Sequence, residues 1–100
     1  MNREEEIVAM LKGVLEASSE KLKDRKVFLF GSRASGRARQ RSDFDIGVIG
    51  EGPLPLETYY RIEDGFDEIP TLYKIDWVDF NRASEKFRER AMKHIEVLYG

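Results

Sequence analysis

The amino-acid sequence predicts an α+β fold, a mixed α/β sandwich in which helices pack on a small mixed sheet of three to four strands. Two observations predict this class. Segments with apolar residues at helical spacing alternate with short segments that have the composition of strands. Their order is helix, strand, loop, strand, helix, strand, helix. The length of 100 residues is that of one small domain, so we expect a single domain over residues 1–100.

The first helix is predicted from about Glu4 to Leu22. Apolar residues such as Ile7 and Leu11 recur there at steps of three and four, and charged residues fill the gaps. The unbroken apolar run at 27–30 follows a polar break and predicts a strand buried on both faces. Gly31 ends this strand.

The rest of the chain contains two more predicted strands and two helical segments. Alternation over 44–49 predicts a strand that begins at its acidic end, and residues 55–68 have one apolar helical face. The segment 72–80 is rich in aromatic and β-branched residues, as strands are. A last helical stripe is formed by Phe87, Ala91, Ile95 and Leu98. Residues 96–99 could instead form a short edge strand.

Composition excludes several classes of protein. The net charge of −2 and the pI near 5.5 argue against a general nucleic-acid-binding protein, so no direct nucleic-acid contact is expected. The absence of cysteine excludes disulfides and thiolate metal sites. No apolar stretch approaches the length of a membrane span, and the acidic N-terminus lacks the apolar core of a secretory signal. We therefore expect a cytoplasmic protein with no membrane partner.

Three aspartates stand at strand positions where carboxylates are disfavoured. Asp43 and Asp45 are two residues apart at the start of the second strand, so they project from the same face, and Asp76 lies midway along the third strand. Like charges held together need a cation between them, and Mg²⁺ prefers carboxylate and phosphate oxygens. The pattern predicts a Mg²⁺ site, which Asp76 completes if the two strands are neighbours.

A phosphate-binding turn is predicted directly after the first strand. Gly31 allows the backbone to approach a ligand closely, and Ser32 can open a short helix whose free N–H groups attract phosphate. The turn is not a Walker loop, because no Gly-Lys-Ser/Thr is present. A phosphate turn beside a metal site is typical of phosphoryl or nucleotidyl transfer.

At these residues the sequence resembles a known family. The motif consists of Gly31-Ser32, a loop containing Gly36, and Ser42-Asp43-Phe44-Asp45. It is similar to the Gly-Ser…Ser-Asp-x-Asp signature of the polymerase-beta-like nucleotidyltransferase superfamily, and the segment 74–80 resembles the strand that carries the third carboxylate. The spacing and short length resemble the minimal nucleotidyltransferase branch, often encoded beside a helical HEPN-domain protein. The sequence departs from that pattern at Ser35, where many relatives carry Arg before the glycine.

The resemblance implies a polymerase-beta-like core that uses ATP as the donor. The implied acceptor is a tyrosine hydroxyl on a HEPN-domain toxin, which makes this chain the antitoxin. In this interpretation Asp43 and Asp45 hold the Mg²⁺ ions, about two in number as in two-metal sites. Asp76 ligates the metal near the acceptor and helps to deprotonate its hydroxyl, while Gly31 and Ser32 hold the β- and γ-phosphates.

Arg33 and Ser42 complete the predicted nucleotide-binding residues. Ser42 is the serine of the second half of the motif, and Arg33 is interpreted either as a phosphate clamp or as a solvated loop residue. For the later arginines of the loop a solvated position is favoured; these are Arg37, Arg39 and Arg41. His94, the only histidine, is interpreted as a surface residue and not as a ligand.

Other interpretations stay open at this level. Asp43 and Asp45 could be a polar strand entry, and Asp79 could compete with Asp76, although its opposite parity and position favour a turn or capping role. The chain could be a non-catalytic antitoxin or binding module that masks its partner. It could also be a nucleotidyltransferase of a small molecule, of an aminoglycoside type, but those relatives carry an acceptor-binding domain that this short chain lacks.

Overall fold

The protein is described by a computed structural model covering residues 3–36 and 43–100. Within these ranges it forms helices α1 to α4, one 3-10 helix and strands β1 to β4. In chain order they are α1 (Arg3–Ala17), the 3-10 helix (Ser19–Leu22), β1 (Lys26–Phe30), α2 (Ser32–Ser35), β2 (Phe44–Ile49), α3 (Leu56–Asp67), β3 (Ile75–Asp79), α4 (Glu85–Ala91) and β4 (Glu96–Tyr99).

The four strands form one mixed sheet in the order β3-β2-β1-β4. The first strand, β1, is antiparallel to both β2 and β4, whereas β2 and β3 are parallel. The central position of β1 explains its apolar sequence, because a strand with helices on both sides of the sheet must be apolar on both faces. This mixed sheet with packed helices confirms the predicted fold class.

The larger part of the core lies between one face of the sheet and helices α1 and α3. Helix α1 buries one stripe at a spacing of four residues, and α3 buries Ile62 and Phe66. The sheet contributes the odd-numbered apolar residues of β1, the even-numbered residues of β2 and Trp77 of β3 to this core. The residues from β1 and β2 are Val27, Leu29, Phe44, Ile46 and Val48.

The opposite face of the sheet is only partly covered. Phe28, Phe30 and Phe80 form a second buried cluster there, against which Ala91 and Met92 pack at the end of α4. Each strand alternates its side chains between the two faces, so Asp45 and Asp76 belong to this second face. The sheet therefore presents Asp45 and Asp76 on the face that has less helical cover.

The structure corrects three predicted boundaries. Helix α1 ends at Ala17, and the remaining turn to Leu22 is 3-10. Strand β3 begins at Ile75, because Leu72 is fully exposed and cannot serve as a core position. The helical stripe predicted to reach Leu98 is wrong beyond Ala91, and residues 96–99 form the edge strand that was the alternative, since pairing with β1 satisfies their backbone groups.

None of the helices within residues 3–36 and 43–100 has both the length and the apolar character needed to cross a membrane.

Candidate active site

The centre of the candidate site is a pair of carboxylates on neighbouring parallel strands. The register of β2 against β3 places Asp45 directly beside Asp76. Both side chains are partly buried on the less covered face of the sheet, and the Asp76 carboxyl is close enough to that of Asp45 to raise its pKa. This proximity requires a shared proton or a bound cation, because two ionised carboxylates at this separation repel each other.

The electrostatics of the pair follow from its position. The pKa of the Asp45 carboxyl is raised from 3.8 to about 6, mainly by burial, then by the adjacent Asp76 and to a smaller extent by the charge of Asp43. Lys74 opposes this effect, and its Nζ lies 3.6 Å from Oδ1 of Asp76. The site is therefore a concentration of negative charge that a cation would relieve.

Gly31 brings the predicted phosphate turn into contact with this pair. Its backbone has φ 71° and ψ −150°, a conformation that residues with a Cβ rarely adopt. A Cβ at this position would collide with Oδ2 of Asp45. Ser32 then begins α2, as predicted, with Gly31 as an N-cap that makes no side-chain hydrogen bond, and Gly36 with φ 77° is the C-cap that follows the helix. Glycine is thus required at Gly31 both for its φ and for the approach of the turn to the carboxylate.

The structure brings together two of the three predicted metal ligands. Asp43 lies just before β2, on the side of the strand that carries Asp45, and its side chain is exposed. Among residues 3–36 and 43–100, no three His, Cys, Asp or Glu side chains are close enough to hold one metal ion. Asp43 therefore acts on the pair through its charge, and its role as a ligand stays a prediction.

Several predicted residues lie outside the described part of the chain. Ser42 is one of them, and the loop arginines Arg37, Arg39 and Arg41 are the others. Their predicted roles remain predictions.

Arg33 is held on the other side of the turn from the carboxylates. Its guanidinium lies 4.3 Å from the ring centroid of Phe44 and 5.1 Å from that of Tyr73, and its Nη1 is 3.3 Å from Oε2 of Glu4. The side chain is only 5% exposed. In this conformation Arg33 ties α2 to α1 and the core, so the phosphate contact predicted for it would require the guanidinium to leave these partners.

Asp79 is a structural residue. Its carboxylate accepts hydrogen bonds from the backbone N–H of Leu54 at 2.8 Å and of Asn81 at 3.0 Å, and it lies 3.5 Å from Nε of Arg82. The residue is 5% exposed, and its side chain belongs to the face opposite Asp76. The turn role expected for Asp79 is thus the one observed, which leaves Asp76 as the carboxylate of β3 in the site.

Residues of α4 and the turn that follows it were not among the predicted site residues. They line, with the Gly31–Ser32 turn, a cavity of about 400 Å³ between α2 and α4. The residues contributed by this segment are Phe87, Arg90, Ala91 and His94. His94 is exposed, as expected, but it faces this cavity. Spacings of four residues relate Phe87 to Ala91 and Arg90 to His94, and this was the only sequence signal for them.

The donor atoms of the site fit Mg²⁺. The contacting groups are carboxylate oxygens, which are the hard ligands that Mg²⁺ prefers, and they belong to a pair whose repulsion a divalent cation would remove. Gly31, which precedes α2, lies against Asp45, so the free N–H groups at the start of α2 can donate to phosphate oxygens beside this carboxylate. The arrangement can hold a metal–polyphosphate complex with its phosphates at the turn.

A mixed sheet with a Gly-Ser turn against a pair of strand carboxylates is the arrangement expected of a nucleotide-transferring protein. Residues 13–100 match the family described as "Polymerase beta, Nucleotidyltransferase". This chain belongs to the polymerase beta nucleotidyltransferase family. It is 34% identical over 93 residues to "Probable protein adenylyltransferase MntA" of Haemophilus influenzae, a match that covers 93% of this chain and 79% of that relative.

Solved structures of toxin–antitoxin complexes share the fold. One, described as a toxin-antitoxin with AMP-PNP, has a TM-score of 0.62 at 21% identity and covers 93% of this chain and 73% of that chain. Another contains a tri-AMPylated Shewanella oneidensis HEPN toxin in complex with an MNT antitoxin. Its TM-score is 0.57 at 18% identity, and the match covers 92% of this chain and 71% of that chain. At these identities the likeness establishes the fold.

Proposed function

We propose that this protein is a Mg²⁺-dependent nucleotidyltransferase that moves AMP from ATP to a tyrosine hydroxyl of a HEPN-domain toxin, and that it acts as the antitoxin. The observation that carries the proposal is the in-register pair of Asp45 and Asp76 in contact with the turn at Gly31. A purely structural protein gains nothing from two repelling carboxylates at this position. The Haemophilus relative, a probable protein adenylyltransferase, supports protein as the acceptor.

The aspartates and the Gly31–Ser32 turn have different roles in the proposed reaction. Asp45 and Asp76, with Asp43, would hold Mg²⁺, which neutralises charge on the phosphates when it is bound. The backbone N–H groups following Gly31 and the hydroxyl of Ser32 would hold the β- and γ-phosphates and so orient the α-phosphorus for in-line attack.

Nucleotidyl transfer moves one proton and replaces one bond to the α-phosphorus by another. The acceptor hydroxyl gives its proton to Asp76 as its oxygen forms a bond to the α-phosphorus. The bond between the α-phosphorus and the bridging oxygen to the β-phosphate breaks at the same time. Pyrophosphate leaves from the side of the Gly31–Ser32 turn. Asp76 is at the edge strand of the sheet, so it is the carboxylate that an acceptor on another protein can reach.

Binding of the donor tests the metal-dependent part of this proposal. Mg·ATP should bind, whereas ATP in EDTA should bind much more weakly, because the carboxylate pair repels a polyphosphate when no cation lies between them. Calorimetric titration with and without Mg²⁺ measures the difference. Equal affinities under the two conditions would contradict the metal site.

Transfer tests the acceptor. Labelled AMP should move weakly in the absence of a partner and efficiently to a HEPN-domain protein encoded next to this gene. The matched control is that partner with its acceptor tyrosine changed to Phe, which should remain unlabelled. Labelling of free sugars or alcohols without any response to the partner would identify a small-molecule enzyme. Toxin neutralisation without any labelling would identify a masking antitoxin. The cytoplasmic location stays a prediction.

A further inference from the structure

Lys74 is a charged residue at the carboxylate pair that the mechanism above does not use. Its Nζ lies 3.6 Å from Oδ1 of Asp76, and 71% of its side chain is exposed. The residue immediately precedes β3, and its carbonyl oxygen accepts a hydrogen bond from the backbone N–H of Phe44 at 2.9 Å. The backbone of Lys74 is therefore fixed against β2, while its long side chain is free to exchange Asp76 for another anionic partner.

The charge of Lys74 acts on both members of the pair. Its ion pair with Asp76 places the ammonium on the face of the sheet that carries the two carboxylates. Lys74 also lowers the pKa of Asp45, whereas the charges of Asp76 and Asp43 raise it. A metal ion bound at Asp76 and the Lys74 ammonium would contact the same carboxylate, so the two cations compete for it.

The ammonium has opposite effects on the two forms in which a metal ion reaches the site. A free divalent cation is repelled by Lys74 and also has to displace it from Asp76. A metal–triphosphate complex carries net negative charge, because the triphosphate has more negative charge than the ion has positive charge. The same ammonium attracts this complex and can bind one of its phosphate oxygens after leaving Asp76.

We propose that Lys74 makes the carboxylate pair selective for a metal–triphosphate complex over a free divalent ion. The inference rests on the proposed function, since it takes the donor to be a nucleoside triphosphate that binds together with Mg²⁺. Lys74 determines specificity without being a metal ligand, because an ammonium group has no lone pair to offer a metal ion. In the absence of the donor, its contact with Asp76 partly neutralises the pair and keeps free metal ion from accumulating there.

Binding measurements on Lys74→Met test the proposal, because methionine keeps an unbranched side chain and removes the charge. Mn²⁺ is the probe for the free ion, since it prefers the same oxygen ligands as Mg²⁺ and its binding is followed by electron paramagnetic resonance. Lys74→Met should bind Mn²⁺ about fivefold more tightly and Mg·ATP about fivefold more weakly, the size expected for one exposed charge. Changes of the same sign for the two ligands, or no change, would overturn the proposal.

Two further variants serve as controls. Lys74→Arg keeps the charge and should bind both ligands within about twofold of the unsubstituted protein. Lys12→Met removes an exposed lysine of α1, which packs on the opposite face of the sheet, and should leave both affinities unchanged. An equal shift in Lys12→Met and Lys74→Met would mean that only the net charge of the protein matters, and would overturn the role of the contact with Asp76.

Thermal unfolding without nucleotide provides a second readout. Mn²⁺ should raise the Tm of Lys74→Met more than that of the unsubstituted protein, because tighter binding to the folded state stabilises it more. An equal rise in Tm would contradict the competition for Asp76. If the unsubstituted protein binds both ligands and Lys74→Met does not change the ratio of their affinities, this inference alone fails. Binding of neither ligand by the unsubstituted protein overturns the proposed function as well.

Discussion

Gly31 occupies a backbone conformation with φ 71° in contact with Asp45. Gly36 has nearly the same φ of 77°, but no atom of residues 3–36 and 43–100 other than its chain neighbours lies within 4 Å of a Cβ placed there. Substitutions at these two glycines therefore distinguish the effect of backbone strain from that of a steric collision. Strain at a positive φ costs about 1 kcal/mol for a residue with a Cβ. A Cβ at Gly31 would in addition displace the Asp45 carboxylate, on which the candidate metal site depends.

We predict that Gly31→Ala weakens Mg·ATP binding at least about tenfold, because a 1 Å misplacement at a reacting centre has effects of this size. Gly36→Ala should lower the free energy of unfolding by about 1 kcal/mol and leave Mg·ATP affinity within a few-fold. Calorimetry and urea denaturation of the two variants measure these quantities. Equal losses of affinity in both variants would mean that strain in the turn, and not contact with Asp45, controls binding.

The two paired aspartates are predicted to have separable effects. Asp45→Asn should weaken Mg·ATP binding and transfer together, because Asp45 contacts the turn. Asp76→Asn should keep Mg·ATP affinity within a few-fold and lower transfer by roughly 10²–10⁴, the range for loss of a general base or acceptor-side ligand.

Asp67→Asn, on the exposed end of α3, is the control for these two variants and should behave as the unsubstituted protein. Asp79→Asn is unsuitable as a control, since its buried carboxylate bonds two backbone N–H groups and its loss should destabilise the fold. Normal transfer by Asp76→Asn, measured with labelled ATP and the partner protein, would exclude Asp76 as the base.

Among the elements, α2 is short and depends on its contacts with the rest of the protein. Its four residues cannot form a stable helix alone, and Arg33 connects it to Phe44 and Tyr73 and to Glu4 of α1. The turn that carries Ser32 is therefore positioned by tertiary contacts on the side away from the cavity. Stability of the core and geometry of the turn are coupled through this one side chain.

We predict that Arg33→Ala lowers the free energy of unfolding by about 1–2 kcal/mol, through loss of cation–π contact and of packing by the side-chain stem. Glu4→Gln should change it by less than about 0.5 kcal/mol, because the Glu4 side chain is exposed and its ion pair is screened by solvent. Urea denaturation measures both. If Arg33→Ala keeps its stability but loses affinity for Mg·tripolyphosphate, the arginine binds phosphate and its packed position is not the functional one.

At the scale of the whole molecule, the carboxylate pair makes stability depend on pH. The pKa of Asp45 is raised to about 6 in the fold from 3.8, so the folded protein holds a proton between these values that the unfolded chain has lost. The contribution of this group to stability therefore falls as pH rises through this window. Ionised Asp45 destabilises the metal-free protein at pH 7.

We predict that Asp45→Asn stabilises the metal-free protein at pH 7 by on the order of 1 kcal/mol, a value discounted because solvent screens a partly exposed carboxylate. The difference should shrink towards pH 4. Thermal unfolding in EDTA at several pH values measures it. Added Mg²⁺ should raise the Tm of the unsubstituted protein at pH 7 more than that of Asp45→Asn. A difference that is constant with pH would contradict the raised pKa.

The sequence by itself determined the fold class, the position of most elements and the residues of the turn. These features follow from short-range rules: the alternation of residues 44–49 sets which side chains share a face, and Gly31 after an apolar run marks the turn. The opposite parity of Asp76 and Asp79 was also readable, since it depends only on the period of a strand.

Only the tertiary structure decided the features that depend on long-range pairing. The register of β2 against β3 makes Asp45 and Asp76 neighbours, and no local pattern contains that register. Pairing with β1 makes residues 96–99 a strand although their apolar spacing also suits a helix. The burial of Arg33 and the cavity beside Phe87 likewise arise where separate elements meet. Contacts between distant segments decide these features because their free energies exceed the small local preferences of the chain.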